Sequence, residues 1–358
     1  MRALALALAS AVLVSCGGGS KAAPAAPKQA PVDEGTAEKD AKGLLAEIYS
    51  TIEHADTDGL MSLFAEPLVV YGPRKGDAHM TRADALVALK AFVDPKKKKP
   101  VLHSDQLTIV ASPGGHSAWA FDVVEVGGRP LAMTAVLSNA GDVWQLRAAT
   151  LGVTPTMKTV RSELKKDAVV PTGMAGVAKI DPAAQAAVDK LEKGLTAQAV
   201  WGDDLRSRSD AVVIGPGNGD ITRGKSEIKK LFAKRTDAHV RATAAGQVSA
   251  ATTQDGELAW VTLPVVQFED DTEPLPLRVF AVFEKDGADW RMIALQESLA
   301  VDEPGQGAQF KAVVAPPLPK QPEAAPAPAA DDAGTAAHKK TKKKKKNKKR
   351  PPPTGDDS

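Results

Sequence analysis

Cysteine is nearly absent from this chain, with Cys16 alone among 358 residues. A lone thiol excludes an intramolecular disulfide framework and any Cys-rich zinc or iron–sulfur site, so apolar burial must hold the folded parts together. Histidine offers no substitute. The six residues His54, His79, His103, His116, His239 and His338 show no paired spacing, so neither a metal nor a metal-borne cofactor is expected. The Gly-rich stretch Gly215-Pro216-Gly217-Asn218-Gly219-Asp220 lacks the Lys-Ser or Lys-Thr ending of a phosphate loop and reads as a turn between a strand and a helix. A strong net charge is missing too, but the formal +2 hides a segregation. Residues 338–358 hold nine Lys, one Arg and two Asp, which leaves 36 basic against 42 acidic side chains, a charge of −6, on the other 337 residues. A mildly acidic body carries a basic tail.

The chain starts with Met1-Arg2 followed by the apolar run Ala3–Val14. As a helix this run would span only about 18 Å of a hydrocarbon core of roughly 30 Å, so it is too short to cross a bilayer and fits an export signal. It ends in Leu13-Val14-Ser15-Cys16, which resembles the lipobox of bacterial lipoproteins, and the resemblance implies cleavage before an acylated Cys16. An ordinary secretory signal with a chance cysteine is the alternative. Two or three acyl chains, at about 0.8 kcal/mol per buried methylene, would hold the protein on a bilayer. Gly17 in place of Asp favours, by the same resemblance, the outer membrane of a Gram-negative envelope, facing the periplasm or the cell surface. Residues 1–15 are then the signal peptide, and the Pro- and Ala-rich residues 16–42 a disordered tether.

The middle of the chain repeats itself. Val69-Val70-Tyr71-Gly72-Pro73 recurs as Val212-Val213-Ile214-Gly215-Pro216, Thr81-Arg82 as Thr222-Arg223, and Ala118-Trp119-Ala120 as Ala259-Trp260-Val261. Gly141 to Leu146 likewise matches Gly287 to Met292, so the offset stays near 141 to 146 residues. Ordered anchors of this kind indicate tandem duplication of a domain of roughly 110 residues. Within a copy, helical spacing (Leu44, Leu45, Ile48, Ile52; then Leu86, Leu89, Val93 after a cap at Thr81) gives way near residue 100 to period-two alternation such as Leu131, Met133, Ala135, Leu137. The expected class is α+β, three helices packed on a curved antiparallel sheet in each copy.

This order, with the Val-Val-Tyr-Gly-Pro and Val-Val-Ile-Gly-Pro signatures, Gly224 before the Ile228 helix and Asp289-Trp290-Arg291-Met292-Ile293 near the end, resembles the nuclear-transport-factor-2-like superfamily, and within it the SnoaL-like and ketosteroid-isomerase-like domains. The resemblance implies two tandem cone-shaped α+β barrels, at residues 43–154 and 182–302, joined by a linker over 155–181 and followed by a disordered tail over 303–358. Each barrel would hold an apolar cavity. Relatives that isomerise steroids use a buried carboxylate as base and a tyrosine with a neutral acid as donors. Here the candidates are Asp122, with Tyr71 and His103 as donors. The second copy has Leu263 and Ile214 where the first has Asp122 and Tyr71. The alternatives are an outward-facing Asp122, Tyr71 as core packing and His103 as a solvated residue. Tyr71, Trp119, Asp122, Trp260 and Arg278 are the ligand-pocket candidates, for a small apolar ligand.

The tail, Lys339, Lys340, Lys342, Lys343, Lys344, Lys345, Lys346, Lys348, Lys349 and Arg350, contains no aromatic residue, so any nucleic-acid contact would be phosphate-driven and sequence-blind. In an exported protein the expected partners are an anionic envelope polymer or lipid headgroups, with solubilisation as the alternative. Two function classes follow: a membrane-anchored, non-catalytic binding or scaffold protein, or an isomerase, cyclase or dehydratase acting in the first cavity. The sheets could also pair the copies as an intramolecular pseudo-dimer, which residues 155–181 are long enough to permit.

Overall fold

The computed structural model describes residues 30–72, 78–92, 102–104, 106–126, 129–141, 143–158, 161, 179–207, 210–270 and 272–299. Cys16, Lys96–Lys99, the Gly127-Gly128 turn and the whole Lys-rich tail lie outside them.

In the first half, α1 (Glu34–Glu53), α2 (Leu60–Leu63) and α3 (Arg82–Phe92) accompany strands β1 (Phe64–Tyr71), β2 (Ala78–His79), β3 (Leu102–Ser104), β4 (Thr108–Ala111), β5 (Ser117–Val126), β6 (Arg129–Ala140) and β7 (Val143–Val153). Helix α1 begins nine residues before the boundary expected at residue 43. Asp33 accepts the Thr36 N–H at 3.0 Å and caps it, while the buried Ala37 and Ala41 extend its core face toward the N-terminus. As expected, Thr81 caps α3 by accepting the Asp84 N–H.

The second half starts with the short strand β8 (Lys179–Ile180) and a 3-10 turn at Pro182–Ala184, capped by Asp181. Helices α4 (Gln185–Thr196), α5 (Ala199–Asp203) and α6 (Lys225–Asp237) follow, with strands β9 (Val212–Ile214), β10 (Ile221–Arg223), β11 (Arg241–Ala244), β12 (Ser249–Thr252), β13 (Leu258–Phe268), β14 (Leu275–Asp286) and β15 (Asp289–Leu299). The Gly-rich stretch at 215–220 thus joins two strands, β9 and β10, and not a strand to a helix, because the Gly215 N–H bonds back to the Asp220 carbonyl and closes a hairpin.

The two sheets share a central order, β2-β1-β7-β6-β5 in the first and β10-β9-β15-β14-β13 in the second, the first continuing to β3 and the second to β12 and β8, with β4 paired to β5 and β11 to β13; β1 lies parallel to β7, and β9 to β15. The long strands β5, β6 and β7, and β13, β14 and β15, pair antiparallel, while the short β8 lies parallel to β12. Gly141 and Gly287, at φ +61° and +63°, turn β6 into β7 and β14 into β15, a conformation that a side chain would oppose.

Strand alternation gives every sheet two apolar faces. In the first half Ala118, Ala120, Met133, Ala135 and Leu137 face the helices and pack on Leu44, Leu45 and Ile48. In the second, Leu263, Leu277, Val279 and Ala281 meet Val188, Leu191, Ile228 and Phe232. The other faces meet each other. Val69, Tyr71, Trp119, Phe121 and Val136 form one cluster with Val212, Ile214, Trp260, Phe280 and Ile293, inside which Trp260 stacks on Phe280 with ring centroids 6.2 Å apart. Large side chains of this kind contribute about 1.5–3 kcal/mol each on burial. Among the described residues no helix is long and apolar enough to cross a membrane.

Candidate functional site

Asp122 lies on β5 between Ala120 and Val124, so alternation turns it inward beneath the helices, and it is 0% exposed. The outward alternative fails for that reason. Its donor is Tyr49 of α1, whose hydroxyl gives a 3.1 Å hydrogen bond to Oδ2, while the Gln106 N–H bonds Oδ1 at 3.2 Å and the Ser104 hydroxyl adds another bond. Burial pushes the Asp122 carboxyl above the usual carboxylate range, and the Ser104, Gln106 and Tyr49 bonds only partly offset it. Burial, then the Asp122 charge, drives the Tyr49 phenol upward as well. Tyr49 therefore remains a neutral donor.

Cross-strand register defines the surroundings. Asp122 pairs with Met133, and Met133 with Leu151, so the three form one row across the inward face. The equivalent row in the second half is Leu263, Val279, Glu297. Each row contains one acid, on opposite sides of the central residue. Glu297 is bound bidentately by Arg235 of α6, Nη1 to Oε1 at 2.9 Å and Nη2 to Oε2 at 2.7 Å, and Arg235 also donates to Gln198 at 3.3 Å. Burial opposes the Arg235 charge, but the Glu297 carboxylate outweighs burial and raises the guanidinium pKa. The first acid is therefore buried among neutral groups, and the second is an ion pair.

Tyr71 does not meet Asp122. It faces the opposite sheet, where the Arg278 guanidinium sits 4.8 Å from its ring centroid and donates to the Gly72 carbonyl at 2.7 Å. Burial raises the Tyr71 phenol, opposed by the Ser249 hydroxyl and the Arg278 charge. Four of the five ligand-pocket candidates, Tyr71, Trp119, Trp260 and Arg278, thus gather in or against the layer between the sheets and not beneath the helices. That layer also holds Gln296, which accepts from Thr134 at 2.6 Å and donates to the Ala132 carbonyl at 3.0 Å. His103 stands in β3 opposite Glu125, and its side chain lies outside the described residues. Among the described residues no group of three or more His, Cys, Asp or Glu could hold a metal ion.

Sequence reasoning missed Tyr49, Gln106, Gln198 and Arg235. The only available signal was that Tyr49 lies one helical turn from Leu45 on the apolar stripe of α1, the stripe that must cover the sheet.

With this geometry in view, residues 197–302 match the family model described as the SnoaL-like domain. The chain is similar to an NTF2-like protein of unknown function from Pseudomonas putida, at 16% identity over 34% of this chain and 89% of that one, with a TM-score of 0.32. It is also similar to a putative dehydratase of the NTF2-like family from Streptomyces avermitilis, at 15% identity over 34% of this chain and 99% of that one, with a TM-score of 0.30. No curated protein matches. Residues 197–302 are thus similar to the SnoaL-like domain, and the fold is mixed α+β.

Proposed function

We infer that this is a lipid-anchored protein of the cell envelope whose two halves are tandem SnoaL-like domains, closed on each other as an intramolecular pseudo-dimer, and that it works as a non-catalytic binding or scaffold module. Acylated Cys16 fastens it to a bilayer, and the Lys-rich segment from Lys339 to Arg350 engages an anionic envelope polymer or anionic headgroups. One observation carries the non-catalytic reading: both inward-facing acids are fully engaged by the protein itself. Asp122 has bonds to both oxygens and no exposed surface, and Glu297 is clamped by Arg235. A general base needs an oxygen that a substrate can reach.

The enzyme reading, an isomerase, cyclase or dehydratase acting on a small apolar substrate, is favoured by one specific feature, the raised Asp122 carboxyl beside the neutral phenol of Tyr49. Deuterium exchange separates the two. The full chain is incubated in D2O with small cyclic ketones bearing acidic α-protons, and exchange is followed by NMR. The binding reading expects no exchange above buffer; exchange that Asp122→Asn abolishes would establish catalysis instead. For the tail, retention on an immobilised polyphosphate-rich polymer should fall when residues 339–350 are deleted.

A further inference from the structure

The chain enters the described fold at one end of the paired sheets. Ala30 gives its carbonyl to Nε2 of His116 at 2.8 Å, and the Val32 N–H bonds the Gly114 carbonyl at 3.0 Å, both in the turn joining β4 to β5. The same turn touches the second half, since the Gly114 N–H donates to Glu257 at 2.7 Å and Ser117 to Asp255 at 2.7 Å. The His116 carbonyl in turn holds the Asn139 N–H, one step from the β6–β7 turn. Beyond that turn comes Val143, and two residues further Gln145 donates to the Ser62 carbonyl of α2, next to Met61. A continuous run of contacts thus connects the point of chain entry to Val143 and Met61.

These two side chains are 53% and 48% exposed, and they are two of the four exposed large hydrophobics among the described residues. The other two, Val87 and Ile180, lie on α3 and β8. Scattered apolar side chains need no explanation, but two beside the entry of a chain whose lone thiol, Cys16, stands fourteen residues before Ala30 do. We propose that this pole, marked by Ala30, Val143 and Met61, is a membrane-docking surface that rests on the bilayer to which Cys16 is fastened, with Val143 and Met61 seated among the headgroups. Two side chains could not bring a free protein to lipid. They can orient one already held there, because a short chain keeps the pole at high effective concentration near the surface. Fourteen residues span at most about 50 Å. Asp33, Glu34, Asp255 and Glu257 surround the entry point, so the surface it fits is zwitterionic; an anionic one would repel it.

The proposal rests on acylation of Cys16. The test uses the full-length lipidated protein in phosphatidylcholine vesicles containing a headgroup-quencher lipid, with one thiol introduced at a time. Val143→Cys marks the proposed surface. Ala238→Cys marks the other pole, beside His239, which bonds Asp270 between β13 and β14. A fluorophore at position 143 should be quenched severalfold more than one at 238. Adding Met61→Asp should shrink that difference. Equal quenching at both sites, or stronger quenching at 238, would overturn the docking surface while leaving acylation intact. Reaction of the unmodified chain with a thiol reagent at Cys16 would instead overturn acylation, and the docking proposal with it.

Discussion

Gly152 of β7 lies against Ser298 of β15, where the two sheets meet. A Cβ there would lie 2.2 Å from the Ser298 Oγ and 2.6 Å from the Ser298 Cβ, a side chain of the other half that is itself buried and cannot swing clear. Gly152→Ala must therefore push β7 and β15 apart locally. Overpacking of this kind costs about 1–3 kcal/mol. For a fold of this size each kcal/mol lowers the melting temperature by about 2–4 °C, so a drop of roughly 2–12 °C is expected. Urea unfolding of the full chain measures the change, and Ser298→Gly supplies the control by removing the atoms in collision. Alone it should destabilise modestly; combined with Gly152→Ala it should restore most of the loss, a coupling that sites in separate, non-touching bodies would not show. Stability of Gly152→Ala within about 0.5 kcal/mol of wild type, or strict additivity in the double variant, would refute face-to-face packing of the sheets.

The remaining predictions concern the buried polar groups and one helix. Arg235→Met should cost about 3–5 kcal/mol by leaving Glu297 buried and unpaired, whereas Arg235→Met with Glu297→Leu should recover most of it, leucine being what the first half carries at Leu151; chemical denaturation reads both. Because the folded pKa of Asp122 is raised, the stability it favours is complete below the unfolded carboxyl value and fades as pH climbs through the folded one; Asp122→Asn should therefore flatten the stability profile on that limb and gain on wild type at pH 8 relative to pH 4. Gly194→Ala should destabilise by about 2 kcal/mol or more, since its Cβ would overlap the Trp201 indole and break the Trp201 bond to the Leu191 carbonyl; thermal melting and loss of the Trp201 near-UV signal would report it.

Strand alternation is legible in the sequence: Met133, Ala135 and Leu137 share a face, and Ala132 and Val136 the other. What alternation alone does not reveal is which apolar face meets helices and which meets a second sheet, because both are buried and composition hardly separates them. Trp119 and Tyr71 look like pocket residues in sequence for that reason, yet they line the sheet–sheet layer. Asp122 was identifiable as an acid on an apolar strand. Its partner was not, because Tyr49 reaches it only through the way α1 crosses β5 and β6, a tertiary relation with no local signature. The early start of α1 escaped notice because Ala37 and Ala41 are too small to register as an apolar stripe, although Asp33 is a legible cap. The acid at Glu297 reads as a departure from its counterpart Leu151 in sequence; only register puts both in the row that contains Asp122.

Cross-linking across the contact reports whether the two sheets of one chain lie face to face. In a chain carrying Cys16→Ser, Gly152→Cys and Ser298→Cys place two thiols on facing strands with side-chain origins close enough for a disulfide after a slight separation. Mild oxidation should close the disulfide rapidly within single chains, seen as a faster-migrating monomer band on a non-reducing gel that reduction reverses. Thiols that stay free, or that link only between chains, would mean that the sheets do not face each other.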